Sequence, residues 1–181
     1  GAAMAEQELI YEVDDRVATL MLNRPERMNA LGKNLVQAII AALAKADADP
    51  EVRVVVITGA GGKAFVSGAD ISKFESERAN AEAQVRYDAI SKEGYESLYN
   101  FPKPTIAKIT GYCIGGGNEL NVMCDLTLSG ESGKFGQAGP KIGSAPLWWG
   151  CQLMPAVVGE KKAREILFLC RQYSAQEALA M

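Results

Sequence analysis

Apolar residues along the chain fall into short runs that are separated by turn residues or by longer segments with helical spacing. Leu9 to Val13 and Val17 to Leu22 are two such runs, and the turn residues Asp14 and Asp15 between them predict a β-hairpin. The stretch VRVVVITG is a short apolar run rich in β-branched residues, which is typical of a strand buried on both faces. Thr105 to Ile109 and Leu126 to Ser129 predict two further strands.

Helical spacing connects these strands. Leu35, Ala38, Ile39, Ala42 and Leu43 recur at helical intervals, and Asp49-Pro50 predicts the end of that helix. The remaining helices are predicted over Ala79 to Leu98, which is mostly polar and therefore exposed, from the GGG segment towards Cys124, over Cys151 to Val158, over Glu160 to Leu169, and from Ser174 onward. Alternating strands and helices predict an α/β core with parallel strands and right-handed crossovers.

Composition limits the classes of function. The chain has 181 residues, of which 48% are hydrophobic and 23% charged, enough for one substantial core but short for two enzyme domains. Lys and Arg number 19 against 22 Asp and Glu, for a net charge of -3, and no block of like charge occurs. This balance argues against a nucleic-acid-binding surface, although a local basic cluster could hold a phosphorylated small molecule.

The four cysteines and the N-terminus point to the cytoplasm. Cys113, Cys124, Cys151 and Cys170 are far apart and lack zinc-ligand spacing, so we expect buried free thiols in a reducing compartment. No apolar run approaches the roughly 20 residues of a membrane helix, and no signal peptide is evident. Met4 resembles a natural start behind a short extension left by cloning. We therefore expect one domain over residues 4–181, with Gly1 to Ala3 outside it.

The first of two glycine-rich loops is TGAGGKAFVSGADI, Thr58 to Ile71, directly after a predicted buried strand. Open α/β sheets place their sites in such loops. The loop lacks the spacing of a phosphate-binding P-loop and of a dinucleotide-binding turn. Taken alone, its glycines are better explained by a tight turn.

The second loop is GYCIGGGNEL, Gly111 to Leu120, where three consecutive glycines lead into a helix. The first amides of a helix have no partner within it and can stabilise an oxygen that gains negative charge. Glu119 lies three residues after Gly116, on the same helix face. In an apolar segment its pKa would be raised, as a general acid or base requires. The alternative is an acid that is favoured at this position by the helix dipole.

Several motifs in order resemble one known family. NRPERMNAL, DPEVRVVVITGAGGKAFVSGADI, KPTIAKITGYCIGGGNELNVMCDLTLS and KFGQAGPKIGS are similar to the crotonase (enoyl-CoA hydratase/isomerase) superfamily, over about Leu9 to Met181. The resemblance implies a spiral of ββα units and a CoA thioester substrate, with coenzyme A as part of that substrate and no separate cofactor. It also implies an oxyanion hole from the N–H groups of Ala69 and Gly116, with Glu119 as the acid or base.

The same resemblance implies which residues contact the substrate. Arg24, Arg27 and Lys63 are expected near the CoA phosphates, although exposed cations are common. Lys141 is expected to face solvent or CoA. The full set of expected substrate-binding residues is Arg24, Arg27, Lys63, Ala64, Ser67, Gly68, Asp70, Ile71, Tyr112, Gly115, Gly139 and Trp148. No metal site is expected.

The chain departs both from the common hydratase pattern and from that of a related subgroup. Hydratases of the family typically carry a second glutamate in FGxPE, but here Gly139 stands at that position, and no Asp or Glu occurs between Glu131 and Glu160. FGQAGPKIGS resembles the subgroup of 1,4-dihydroxy-2-naphthoyl-CoA synthase and of the hydrolases of ring-oxo cyclohexanecarboxyl-CoA esters. That synthase has an aspartate where Pro146 stands here, and it lacks a glutamate at the position of Glu119.

With one acid, we expect an enoyl-CoA hydratase, and the alternatives are an isomerase, a ring-oxo acyl-CoA hydrolase and a non-catalytic acyl-CoA-binding protein. Trp148 and Trp149 could form a flat wall for a cyclic or bulky acyl group, or pack in the core or against another subunit. Family members usually continue past Met181 with helices that close the pocket and support trimers. We therefore expect a homotrimer or hexamer for the full-length form, and no nucleic-acid or membrane partner.

Overall fold

A five-stranded sheet forms from the apolar runs of the sequence. The computed structural model describes residues 7–73, 79–146 and 148–181, so the predicted start at Met4 lies outside the described residues. The strands lie in the order β1-β2-β3-β5-β7, and all pair in parallel except β1 with β2. They are β1 Leu9–Asp14, β2 Val17–Leu22, β3 Val54–Gly59, β5 Thr105–Ile109 and β7 Leu126–Ser129.

The predicted hairpin is present, but its turn lies one residue later than expected. Asp14 pairs with Val17 at the end of the ladder, so the two turn residues are Asp15 and Arg16 and not Asp14 and Asp15. Both turn residues have positive φ, 42° and 67°. A two-residue turn with both φ values positive matches the twist of the flanking strands, which explains why the turn is this short.

A second sheet of four short strands was not predicted from the sequence. Its order is β4-β6-β8-β9, with three parallel strands and an antiparallel β9. Each strand has only three residues, too few to show an alternating pattern. The strands are β4 Ala64–Val66, β6 Tyr112–Ile114, β8 Lys134–Gly136 and β9 Gln172–Ser174.

From β3 to β8, consecutive strands alternate between the two sheets, and each pair is followed by a helix. Thus β3 and β4 precede helix α2 (Ala81–Tyr99), β5 and β6 precede α3 (Gly116–Met123), and β7 and β8 precede α4 (Gly150–Val158). This arrangement confirms the predicted α/β spiral of ββα units. The helices are α1 Lys33–Ala48, α2 Ala81–Tyr99, α3 Gly116–Met123, α4 Gly150–Val158, α5 Glu160–Leu169 and α6 Ala175–Leu179.

The helix boundaries follow the local capping chemistry. The predicted helix over Ala79 to Leu98 begins two residues later, because the Asn80 side chain accepts a hydrogen bond from the Ala83 N–H. The last helix opens at Ser174 as predicted, where Ser174 and Glu177 form a reciprocal capping box. As predicted, α2 buries few of its residues. Helix α1 buries an apolar stripe that includes Leu35, Ile39, Ala42 and Leu43.

Helix α3 packs very closely on the second sheet. A Cβ atom on Gly117 would overlap the backbone carbonyl oxygen of Val66 in β4. Only glycine permits this approach, which brings the start of α3 next to the loop after β4. Leu120 on the same helix is fully buried in the main core. The tight packing therefore fixes the relative positions of the two glycine loops.

The cysteines are all free thiols, but they are not all buried. Cys113, Cys124 and Cys170 are buried, whereas Cys151 is exposed at the start of α4, contrary to the expectation. Burial raises the pKa of Cys113, and it raises that of Cys124 to about 12. Across residues 7–73, 79–146 and 148–181, no helix combines the length and apolar character that a membrane crossing demands.

Candidate active site

A cavity of about 260 Å³ lies between the two glycine loops. Apolar side chains from α1, α2 and the loop before α4 form most of its wall. Glu119 is the only carboxylate among the described residues that line it. The other polar side chains of the wall are those of Lys33, Ser67, Tyr87, Ser91, Gln137 and Ser144.

The first loop presents an unpaired N–H to this cavity. The carbonyl of Gly68 accepts from the Leu31 N–H at 2.8 Å, and the Asp70 N–H donates back to the Leu31 carbonyl at 2.9 Å. These two bonds flank Ala69, whose own N–H donates to no group in the described part of the chain. Gly68 has a φ of 122°, a conformation that side chains rarely adopt. The two flanking hydrogen bonds therefore fix the position of Ala69, while its N–H has no hydrogen-bond partner in the described part of the chain.

The second loop presents the start of α3 to the same cavity. Gly115 has a φ of 57°, and its N–H donates to the Gly136 carbonyl at 2.9 Å. Gly116 is the first helical residue, and among the described residues its N–H has no partner. A Cβ atom on Gly115 would lie 3.7 Å from the Cα of Gly68, so the two loops are in near contact. Two free backbone donors thus face one cavity, as an oxyanion hole requires.

Glu119 lies one turn into α3 and is 5% exposed. Its Oε1 accepts hydrogen bonds from the backbone N–H groups of Trp148, at 2.8 Å, and Gly150, at 3.3 Å. No described residue donates to its Oε2. Burial raises the pKa of Glu119 to about 7, and the two backbone hydrogen bonds only partly oppose this rise. A carboxyl group with this pKa can both accept and release a proton near neutrality.

The loop before α4 is shaped around this carboxylate. A Cβ atom on Gly150 would lie 3.0 Å from Glu119 Oε1 and 2.8 Å from the Cβ of Pro146. Trp149, the preceding residue, has a φ of 59°, which is an unusual and strained conformation for a bulky side chain. This conformation places two N–H groups, from the residues on either side of Trp149, on the same oxygen atom.

The two tryptophans pack against α2 in different ways. Trp148 is buried and lines the cavity. Its ring packs closely on α2, since a Cβ atom added to Gly94 would lie 3.1 Å from the ring atom Cη2. Its ring is also 6.1 Å from that of Tyr95 in an edge-to-face arrangement. Trp149 points away and packs on Tyr95 and Tyr99, at 4.9 and 4.8 Å between ring centroids. Trp148 is therefore both a core residue and part of the cavity wall.

The sequence and the fold both match known proteins. The model of the family described as Enoyl-CoA hydratase/isomerase matches residues 12–181. The chain belongs to the enoyl-CoA hydratase/isomerase family. A crystal structure of an enoyl-CoA hydratase/carnithine racemase from Magnetospirillum magneticum superposes with a TM-score of 0.88 at 39% identity, over 97% of this chain and 66% of that one.

Other family structures agree. A putative enoyl-CoA hydratase/isomerase family protein from Hyphomonas neptunium has a TM-score of 0.89 at 35% identity, over 96% of this chain and 66% of that one. The enoyl-CoA hydratase from Bacillus anthracis has a TM-score of 0.89 at 32% identity, over 96% and 67%. The chain thus spans about two thirds of the length of these family members.

Half of the expected substrate-binding residues line the cavity. Ser67, Gly68, Ile71, Gly115, Gly139 and Trp148 line it, together with the expected catalytic residues Ala69, Gly116 and Glu119. Gly139 opens a short 3-10 helix over Gly139–Ile142, and its carbonyl accepts from the Ser144 N–H at 2.9 Å. The structure therefore gathers residues from both glycine loops and from the loop after β8, as the family resemblance implies.

The remaining expected residues lie away from the cavity wall. Arg24 donates from Nη2 to Asp70 Oδ2 at 2.8 Å and from Nη1 to the Ala30 carbonyl at 2.7 Å, so its guanidinium is engaged within the protein. Ala64 is buried in β4, and its carbonyl accepts from the Asn29 amide. Tyr112 lies on β6 with Lys134 5.2 Å above its ring.

The three expected phosphate contacts therefore differ from one another. Arg27 and Lys63 are exposed, on the 3-10 helix after β2 and just before β4, whereas Arg24 is an internal ion-pair partner. Lys141 is exposed as well, on the 3-10 helix after β8. Among the described residues, no group of three or more His, Cys, Asp or Glu side chains is placed to hold a metal ion.

Sequence analysis missed two features of this site. Gln137 is 2% exposed and lines the cavity, and its Oε1 accepts no hydrogen bond. A glutamine beside glycines and a proline looks like a loop residue, so only its position directly after β8 could have indicated a buried role. The two backbone N–H groups that donate to Glu119, from Trp148 and Gly150, were also missed. Every residue type except proline has a backbone N–H, so the sequence does not indicate which of them bind a carboxylate.

Proposed function

We propose that the protein is an enoyl-CoA hydratase that forms an enolate of its CoA thioester substrate. The observation that carries the proposal is the placement of Glu119, with a free Oε2 and a pKa of about 7, in the same cavity as the two unpaired N–H donors of Ala69 and Gly116. The thioester carbonyl oxygen would accept from both donors. Each such donor typically contributes about 100 to 1,000-fold to the rate.

Hydration requires one proton to leave water and one to reach the α-carbon. Water adds through its oxygen to the β-carbon, and the electron pair of the double bond moves onto the thioester oxygen. Glu119 Oε2 takes the proton that the water loses and returns it to the α-carbon as the enolate collapses. The carboxylate ends unchanged, so one group with a pKa near neutrality serves both steps.

The substrate class rests on the family and on the cavity wall. The relatives are described as enoyl-CoA hydratases, and the motifs around Gly139 resemble the subgroup that acts on cyclic acyl-CoA esters. Trp148 forms part of the wall, together with the small residues of the glycine loops. We therefore propose a cyclic or bulky enoyl or dienoyl group as the acyl portion.

Isomerisation is the second candidate, because the cavity has a single carboxylate among its described lining residues. Glu119 could remove a proton from one carbon of the enolate system and return it to another, which needs no water. Both candidates share the enolate, and they differ only in whether an oxygen atom is added to the acyl chain.

The enolate step is tested by exchange of the α-protons of butyryl-CoA in deuterated water, followed by mass spectrometry. The wild type should exchange, and Glu119→Gln should be slower by about 100 to 10,000-fold, the usual contribution of a general base. Glu12→Gln, which removes an exposed carboxylate from β1, is the matched control and should exchange at the wild-type rate. Equal exchange by wild type and Glu119→Gln would refute the role of Glu119.

The two candidates are then separated by a panel of linear and cyclic enoyl-CoA and dienoyl-CoA esters in oxygen-18 water. A labelled product of increased mass, absent with Glu119→Gln, supports hydration and identifies the acyl group. A product of unchanged mass with a moved double bond supports isomerisation. Esters that bind but return unchanged, together with no exchange of butyryl-CoA, would contradict both.

A further inference from the structure

Gln137 carries a buried carboxamide that nothing in the described part of the chain satisfies. It follows β8 directly, next to Gly136, whose carbonyl accepts from Gly115 N–H at 2.9 Å. The side chain is 2% exposed and lines the same cavity as Glu119 and Gly116. Its Oε1 is fully buried and has no hydrogen-bond partner among the described residues.

An unpaired amide of this kind is unusual. The great majority of buried polar side-chain atoms in proteins have a partner, and leaving one unpaired is costly. A leucine would fill a similar space in this mostly apolar wall without that cost. The terminal torsion of glutamine is broad and roughly two-fold, so rotation can turn either the donor or the acceptor end towards the cavity. The carboxamide is therefore suited to a small polar group within the acyl pocket.

We propose that Gln137 binds the oxygen atom that hydration adds to the acyl chain. The bound group is the attacking water before the reaction and the β-hydroxyl of the product after it. This inference rests on the proposed hydratase function. It assigns to Gln137 the orientation of the attacking water, which the proposed role of Glu119 does not include. A carboxamide can donate to one lone pair of that oxygen or accept from one of its O–H bonds, but it cannot take a proton.

The division of labour follows from the chemistry of the two side chains. Gln137 orients the water, whose oxygen forms the new bond to the β-carbon. Glu119 Oε2 receives the proton that the water loses and delivers it to the α-carbon. A purely hydrocarbon acyl group without this water would leave the amide unpaired, so the site should favour ligands that bring an oxygen to this position.

Equilibrium binding tests the inference without turnover. Titration calorimetry in a Glu119→Gln background compares 3-hydroxybutyryl-CoA with butyryl-CoA, which lacks only the β-hydroxyl. The background protein should bind the hydroxylated ester roughly fivefold more tightly or better, the equivalent of one hydrogen bond. Adding Gln137→Leu should abolish this preference while the affinity for butyryl-CoA changes by less than about twofold. Gln137→Met is a second apolar variant in case the leucine variant does not fold.

Two outcomes would overturn the inference: no preference in the background protein, or a preference that survives in both apolar variants. Deuterium exchange of butyryl-CoA by the wild type separates either outcome from failure of the proposed function, because exchange needs Glu119 and the oxyanion donors but no added water. A wild type that exchanges butyryl-CoA, together with either outcome, contradicts the role of Gln137 alone.

Discussion

Asp70 and Glu119 are two buried carboxylates in the two glycine loops, and their environments shift their pKa values in opposite directions. Asp70 comes directly after Ala69 and is 6% exposed, whereas Glu119 comes three residues after Gly116 and is 5% exposed. Burial pushes the pKa of both upward. At Asp70 the hydrogen bonds from Ser72 and Arg24, and the charge of Arg24, outweigh burial and lower the pKa. At Glu119 only neutral backbone groups oppose burial, and the pKa rises to about 7.

Two carboxylates with similar solvent exposure thus differ in pKa because only Asp70 has a hydroxyl donor, Ser72, and a cation, Arg24, beside it. Asp70 stays charged, and its Oδ2 accepts from Arg24 Nη2 at 2.8 Å, which ties the first loop to residues 24–31. Its Oδ1 accepts from the nearby Ser72 Oγ at 2.5 Å. The ion pair thereby supports the bridge between Leu31 and Ala69. Glu119 has no such partner on Oε2 among the described residues. The first carboxylate is held in an ion pair, and the second is the one that we propose for proton transfer.

The largest effect is expected from breaking the ion pair. Arg24→Met leaves the buried Asp70 without its cation and should destabilise the protein by about 3 kcal/mol or more, measured by urea denaturation at pH 7. Arg27→Met, which removes an exposed arginine three residues away, is the control and should cost about 0.5 kcal/mol or less. Similar stability of the two variants would mean that the pair contributes nothing. Asp70→Asn in the Arg24→Met background should recover part of the loss.

The next effect concerns the dependence of stability on pH. Because the folded pKa of Glu119 is about 7 and the ordinary value is 4.5, the native state binds the extra proton between these limits. In the unfolded state Glu119 loses its proton near pH 4.5, whereas in the folded state it keeps the proton up to about pH 7. The free energy of unfolding therefore falls by roughly 3 kcal/mol as pH rises from 4.5 to above 7. Glu119→Gln should therefore match wild type near pH 4.5 and exceed it by that amount at pH 8.

Urea denaturation of the two proteins across this range tests the expected pH dependence, with Glu12→Gln as a control for the loss of one negative charge. A difference between Glu119→Gln and wild type that stays constant with pH would contradict it. It would mean that the N–H groups of Trp148 and Gly150 keep Glu119 ionised throughout, like Asp70.

A smaller effect is expected from crowding the reactive carboxylate. Gly150→Ala would place a methyl group 3.0 Å from Glu119 Oε1 and force a shift of a few tenths of an ångström. Displacement of a catalytic group on this scale should slow the exchange of butyryl-CoA on the order of tenfold. Gly143→Ala, where a Cβ meets nothing within 4 Å, controls for glycine replacement in the same loop region, although its positive φ of 71° adds local strain. Exchange by Gly150→Ala at the wild-type rate would show that the carboxylate position is not critical.

Much of the first sheet and of the helices could be predicted because their residues carry a periodic signal. Thr105–Ile109 and Leu126–Ser129 have the predicted boundaries, and the apolar stripe of Leu35, Ile39 and Leu43 marks α1. The second sheet could not be predicted, because strands of three residues are too short to show a recognisable alternation of apolar and polar residues. The hairpin turn at Asp15 and Arg16 was displaced by one residue because Asp14 still pairs across the ladder.

The candidate site divides in the same way. Glycine at the loops and a glutamate one helical turn beyond are local features, so Ala69, Gly116 and Glu119 could be named from the order of residues and the family they resemble. The contacts that give these residues their properties join distant parts of the chain. Arg24 reaches Asp70 across 46 positions, and Trp148 reaches Glu119 across 29.

Residue order therefore determined most helices and the first sheet, the family and the carboxylate that we propose for proton transfer, because periodicity and local motifs depend only on neighbours along the chain. Tertiary structure alone decided that Asp70 stays charged, that Glu119 has a pKa near 7 and that the buried Gln137 Oε1 has no hydrogen-bond partner among the described residues. The reason is that a pKa and a hydrogen-bond deficit depend on burial and on partners in space, and folding brings those partners from remote segments.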